Sequence, residues 1–99
     1  MILSYHPAAQ RDVNDNIDHY RKEGGAALAD RFFAELVTRL NEIAAFPDRF
    51  SFYLAHPFIR RACLHRFPHL ILFRILRDRV RVTVIKHEKR DPNFGLRRK

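Results

Sequence analysis

The chain is short of several things that would commit it to a familiar class. It has one cysteine, Cys63, so no internal disulfide framework can form and no thiolate cluster can hold a metal. The six histidines lack zinc-ligand spacing with cysteine or carboxylates, and no metal or cofactor is expected. No apolar run approaches the ~18 residues a membrane span needs. The opening residues, ILSYHP, lack a basic stretch followed by an apolar run and cleavage site, so a cytoplasmic location is expected. There is no internal repeat and no low-complexity linker. Acidic residues are scarce in the second half: residues 51–99 hold three Asp/Glu against thirteen Arg/Lys, whereas residues 1–50 hold eight against six.

What remains is a basic, phenylalanine-rich globular chain. Ninety-nine residues with 46% apolar content and nine phenylalanines read as a single domain, 1–99. A domain near this length buries only roughly 60–65% of its unfolded surface. Modest stability is expected, and a permanent partner would supply missing burial. The net charge of +8, crowded into the second half, favours an anionic partner without naming it.

Periodicity predicts the element order. ILSYH (2–6) reads as a short strand, and Pro7 suits the first position of a helix. Val13, Ile17 and Tyr20 share one side of that helix, leaving Asp12, Asp15 and Asp18 to face water. Gly24-Gly25 predicts a tight reversal. A second helix follows from Leu28, Phe32, Leu36, Leu40 and Ile43, with Phe33 and Val37 widening its apolar face, and ends before Pro47. Phe46, Phe50 and Phe52 occupy a connector, where some ring is expected to plug the core. IRRACLHRF (59–67) then alternates as a strand. LILFRIL (70–76) and VRVTVI (80–85) form a hairpin around Arg77-Asp78, with Val80, Val82 and Val84 on one apolar side. The result is an α+β fold of order β-α-α-β-β-β. Its N-terminal helical hairpin covers one face of a small, mostly antiparallel sheet and leaves the other face more open.

Over nearly the whole chain, FFAELVTRLNEIAAFP, RRACLHRFPHLILFRI and VTVIKHEKRDPNF, taken in this order, resemble the ParE/RelE toxin superfamily. The likeness is closest to ParE-like (plasmid-stabilisation type) toxins of type II toxin–antitoxin systems. The resemblance implies a growth-regulating toxin neutralised by a cognate antitoxin through an acidic or amphipathic C-terminal segment. A ParE-like member would stabilise the cleaved-DNA state of DNA gyrase without cutting DNA itself. A RelE-like member would be an endoribonuclease cutting mRNA on the ribosome, and a third reading is an antitoxin-binding protein of little toxicity. The chain departs from the ParE-like pattern at His69 and Phe73, where tyrosines are common, and at Phe94-Gly95, where an aromatic pair is usual.

The candidate residues follow from these alternatives. Arg60, Arg61, Arg66, Arg90 and Arg98 are the candidate basic contacts for a target or partner, with Phe94 as a docking anchor. Adjacent strand residues point oppositely, so Arg60 and Arg61 are not expected to form one clamp. Arg90 and Asp91 are placed to pair locally or to organise the turn at Pro92. A metal-free ribonuclease needs a base, a phosphate stabiliser and an acid. His87 is the candidate for proton exchange, with Arg61, His65, Lys86 and Arg90 near it if the sheet gathers them; Phe94 has no hydroxyl to offer. A general nucleic-acid module, drawing phosphates to Arg74, Arg77, Arg79 and Arg81, is the bland runner-up.

Overall fold

The computed structural model describes residues Met1–Lys99, in the order β1 (Ile2–Tyr5), α1 (Pro7–Ala45), β2 (Ile59–Cys63), β3 (His69–Ile75) and β4 (Arg79–His87). His6 caps α1, its Nδ1 accepting from the Ala8 N–H at 3.0 Å, and Pro7 takes the first helical position. The expected reversal is present. Gly25 leaves helical geometry at φ 77° and ψ −172°, splitting α1 into arms of residues 7–24 and 26–45. A straight helix of this length would span about 58 Å, more than the 39 Å longest extent of the molecule. The arms instead fold back: the rings of Tyr20 and Phe32 lie 5.0 Å apart, and the Met1 ammonium donates to the Ala44 carbonyl at 2.6 Å.

The sheet runs β1-β4-β3-β2, with β1 parallel to β4 and the other neighbours antiparallel. Ala9, Val13, Phe32, Leu36, Leu40 and Ile43 of the arms pack on Ala62, Ile71, Phe73, Val80, Val82 and Ile85 of the sheet. Each Val, Leu, Ile or Phe side chain among them, fully buried, contributes about 1.5–3 kcal/mol. Phe50 is the connector ring that plugs this core, edge-on to Phe73 at 5.7 Å; Phe46 and Phe52 stay about half exposed. Phe33 and Val37 do not widen the buried face. They are 48% and 38% exposed, because the arm meets the sheet through the Phe32–Leu36–Leu40–Ile43 stripe alone.

Two strand expectations change. β2 ends at Cys63 rather than reaching Phe67, since Glu35 turns the chain by accepting from the N–H groups of His65 and Arg66 at 2.7 and 2.9 Å. The single valine face of β4 is also broken. Opposite Leu72 stands Val84, but opposite Phe73 stands Val82, so Thr83 is an extra, bulged residue. Side-chain alternation shifts by one there. Val80 and Val82 face the helices, whereas Val84 joins Tyr53, Ile59, Leu70 and Leu72 on the far face. That face is less open than expected: Tyr53 covers part of it, and Phe94 and Leu96 of the tail pack over the same cluster.

The bulge coincides with a gap at the sheet edge. β1 pairs with β4 only as far as Tyr5 opposite Val82, and His6 N–H donates to the Val82 carbonyl. Beyond it the outer edge of β4 has no strand beside it, and its buried polar groups need partners. Asp12 accepts from the Ile85 N–H at 3.1 Å. Arg98 donates to the Thr83 carbonyl at 3.0 Å and to Asp12 Oδ2 at 2.6 Å. Asp12 therefore does not face water, as its helix position suggested; it and Arg98 are 11% and 17% exposed. Gly95, at φ +76°, lets the tail cross closely over this region, since a Cβ there would overlap Val84 Cγ2.

Removing one partner of a largely buried ion pair strands the other, so Asp12→Ala and Arg98→Ala should each lower unfolding stability by about 2–4 kcal/mol. Urea unfolding of both variants and of the double variant checks this. The double variant should lose at least about 1 kcal/mol less than the sum of the singles, whereas additive losses would mean that the pair is not coupled.

Candidate functional site

The C-terminal tail closes a connected polar cluster over the far face of the sheet. Lys86, 3% exposed on the far face of β4, donates to the Tyr53 hydroxyl at 3.0 Å and to the carbonyls of Asp91 and Pro92 at 3.0 and 3.2 Å. The Tyr53 hydroxyl also donates to the Pro92 carbonyl at 3.0 Å. A charge this deep is tolerable only when its donors are satisfied, and here carbonyls of the tail satisfy them. Phe94 lies between the guanidinium groups of Arg90 and Arg98, 4.0 and 4.8 Å from its ring centroid. Asp91 organises the turn by accepting from the Asn93 N–H at 2.9 Å. It makes no ion pair with Arg90, which stacks on Phe94 instead. Arg98 and Phe94 are thus built into the tail, and Arg90 is the exposed member of this group.

His69 and His87 lie on the helix side. His69, 3% exposed, donates from Nε2 to Asn16 Oδ1 at 2.9 Å, and its Nδ1 faces the Tyr20 hydroxyl at 3.5 Å. Both contacts suit a neutral ring. Burial, followed by the neighbouring His87 and His19, lowers its pKa to about 4. Asn16 continues the chain, donating to the carbonyls of Asp12 and Ile85. His87 stands 5.4 Å from His69 between ring centroids, and its Nδ1 accepts from the Lys89 N–H at 3.0 Å.

The ribonuclease constellation is gathered only in part: His87, Lys86 and Arg90 border one cleft of about 110 Å³ together with Phe94, and Arg61 and His65 do not. His69 stands opposite His87 in the ladder and on its helix side, whereas Arg61 stands opposite Leu72, whose side chain belongs to the far face. Lys86, one residue from His87, also points to that far face and is occupied by Tyr53 and the tail. Strand alternation, the same rule that suggested the strands, divides the set between two sides of a sheet. Arg60 and Arg61 do point oppositely. Arg60 donates to the carbonyls of Phe50 and Asp48 at 2.7 and 3.3 Å and lies 4.1 Å over Phe52, holding the connector to β2. Arg61 is exposed, and its side chain makes no hydrogen bond or ion pair. Arg66 is likewise exposed and borders a groove of about 780 Å³ between the second arm and the β2–β3 loop, with Leu28, Arg31, Glu35 and Phe67.

With this geometry in place, the likeness to known proteins is specific. The family model for the ParE toxin of the type II toxin–antitoxin system parDE matches residues 3–92. This chain belongs to the ParE toxin family. Among solved structures, one described as the chromosomal ParDE toxin–antitoxin system from P. aeruginosa superposes with a TM-score of 0.79 at 20% identity, over 88% of this chain and 95% of that one. At that identity the likeness is one of fold, and it supports the α+β topology. No curated protein sequence matches the chain. A ParE toxin of a type II toxin–antitoxin system has a cognate antitoxin as its partner.

Asp12, Tyr53 and Lys86 organise the tail of this ParE toxin, and Asn16 ties His69 to the β4 edge; none of them was singled out for these roles in the sequence. Asp12 reaches Arg98 across 86 positions of chain and Tyr53 reaches Lys86 across 33, separations that carry no local signal. Lys86 on an alternating strand was the one hint, since the alternation places it on the same side as Val84.

His69 makes stability depend on pH. The unfolded ring takes up its proton near pH 6.5 and the folded ring only near pH 4, so between these values the unfolded state binds more protons. Stability from this group is complete above pH 6.5 and is lost as the pH falls toward 4, by about 3 kcal/mol. Urea unfolding across this range should show the loss, and His69→Leu should flatten it; an unchanged slope would assign the dependence to other groups.

Proposed function

We propose that this ParE toxin inhibits DNA gyrase by holding its cleaved-DNA state through a protein surface, without a covalent step, and that a cognate antitoxin neutralises it. The observation that carries a non-catalytic reading is the division of Arg61 and His87 between opposite faces of the sheet, with Phe94 clamped and lacking a hydroxyl. Binding of shape and charge remains as the mode of action. Arg61, Arg66 and Arg90 are exposed and serve as direct contacts. Arg60, Arg98 and Phe94 act through position, the first by holding the connector and the other two by holding the tail. The surplus of thirteen Arg/Lys over three Asp/Glu in residues 51–99 suits an acidic or amphipathic antitoxin segment, which gains steering as it folds onto the toxin. No helix is long and apolar enough to cross a membrane, and the cytoplasm, where gyrase works, is the proposed location.

A titration of purified toxin into gyrase and supercoiled DNA tests this. Cleaved DNA should accumulate only when gyrase is present, and the antitoxin should reverse it. Arg61→Ala and Arg66→Ala should each raise the required concentration by about twofold to fivefold, the size expected of exposed charge contacts. Unchanged supercoiling and cleavage over the whole titration would reject the mechanism. Codon-positioned cuts in mRNA from translating ribosomes would establish the RelE-like alternative in its place.

A further inference from the structure

The helix-free face of the sheet carries a feature that neither the tail cluster nor the antitoxin partnership accounts for. One row across the four strands reads Ile59, Arg74, Arg81, Ser4. Arg74 and Arg81 stand directly opposite each other on β3 and β4, a like-charge pairing that destabilises a sheet. Both are half-buried. Neither has an acidic partner, because the four ion pairs of the molecule use Arg21, Arg39, Arg79 and Arg98. Neither guanidinium makes a hydrogen bond. Ser4 Oγ, at the end of the row, is buried and also without a partner. Residues 59–87 contain eight Arg/Lys and one acid, Asp78, which sits in the β3–β4 turn and pairs with Arg79. Arg74 and Arg81 therefore carry positive charge with no acidic partner in the molecule.

Exposed aromatic rings adjoin the row. Phe58 is 61% exposed, with the Arg74 guanidinium 5.7 Å from its ring centroid. Phe52, 45% exposed, lies under Arg60. Phe52, Phe58, Arg60 and Arg74 line a cleft of about 200 Å³ where β2 begins and β3 ends. The loop that presents Phe58 is held out of ordinary backbone geometry: Leu54 and Ala55 adopt φ of 48° and 58°, left-handed values costly for residues with a Cβ. Tyr53 anchors one end of this loop in the far-face cluster. The His56 ring anchors the other, accepting from the N–H groups of Phe58 and Ile59 at 3.1 and 3.2 Å.

We infer that this cleft and the Arg74–Arg81 row form a binding surface for single-stranded nucleic acid, with an unpaired base against Phe58 and backbone phosphates on the arginines. A phosphate between Arg74 and Arg81 offsets their mutual repulsion and supplies the acceptors both lack. An aromatic face beside guanidinium groups takes any base, so the surface reads backbone and stacking rather than sequence. A duplex keeps its bases stacked and has none to give the cleft. The inference is independent of the gyrase reading, since it concerns the toxin and nucleic acid alone.

Fluorescence anisotropy with labelled oligothymidylate and oligouridylate of about fifteen nucleotides, and with a duplex of the same length, tests it in the absence of gyrase. Both single strands should bind more tightly than the duplex, whichever of the two is preferred, and affinity should fall with salt. The double variant Arg74→Gln/Arg81→Gln should reduce the magnitude of the log–log salt slope by roughly 1.4, while Lys22→Gln/Arg31→Gln on the helices should leave affinity above that of the Arg74/Arg81 variant. Phe58→Ala should weaken binding about fivefold to a hundredfold with the salt slope unchanged. Phe58 is exposed enough for its loss to leave the fold intact, so this arm decides the matter even if the arginine variant fails to fold. No binding at low salt, affinity insensitive to Phe58→Ala, or a duplex or polyglutamate binding as tightly as the single strands would overturn the inference.

Discussion

The Asp12–Arg98 ion pair closes a gap that the rest of the fold leaves in its own sheet. β1 is four residues long and stops beside Val82, while β4 continues to His87 with a bulge at Thr83. Buried N–H and C=O groups on that exposed run must find partners or cost free energy comparable to a lost hydrogen bond. Asp12 comes from the first arm of the helical hairpin and Arg98 from the chain's last residues, and together they take the Ile85 N–H and the Thr83 carbonyl. One contact thereby joins the helices, the central strand pair and the tail.

Several features of the tail follow from that closure. Because Arg98 is drawn to the β4 edge, the segment between it and Asp91 must cross the far face, where Gly95 permits the close approach and Leu96 covers Val84. Phe94 then sits between two guanidinium groups, and Lys86 is sealed beneath carbonyls of the tail. The chain departs from the ParE-like pattern at Phe94-Gly95, yet the glycine has a steric reason of its own: no side chain fits over Val84. The basic residues divide into those spent on architecture, such as Arg60, Lys86 and Arg98, and those left free on the surface, such as Arg61, Arg66, Arg74 and Arg81.

Much of this was legible in the linear chain. The hairpin of helices follows from helical spacing interrupted at Gly25, and the β3–β4 hairpin from two alternating runs around Arg77-Asp78, because these signals depend on neighbours a few residues apart. The superfamily was legible for the same reason, as a series of local motifs in a characteristic order. Strand faces were legible only up to Thr83. A bulge adds one residue without any compositional mark, and every side chain beyond it changes face, so Val84 left the surface assigned to Val80 and Val82.

The sequence by itself determined the type and order of the elements, the crowding of positive charge into the second half and the family, since each is a property of local pattern or of summed composition. Only the tertiary structure decided which charges are free. Whether an arginine holds the chain or waits for a partner depends on what lies within a few ångströms of its guanidinium, and for Arg98 that is an aspartate 86 residues away. It also decided that His87 and Arg61 never meet, because a sheet has two sides and the strand register assigns one to each.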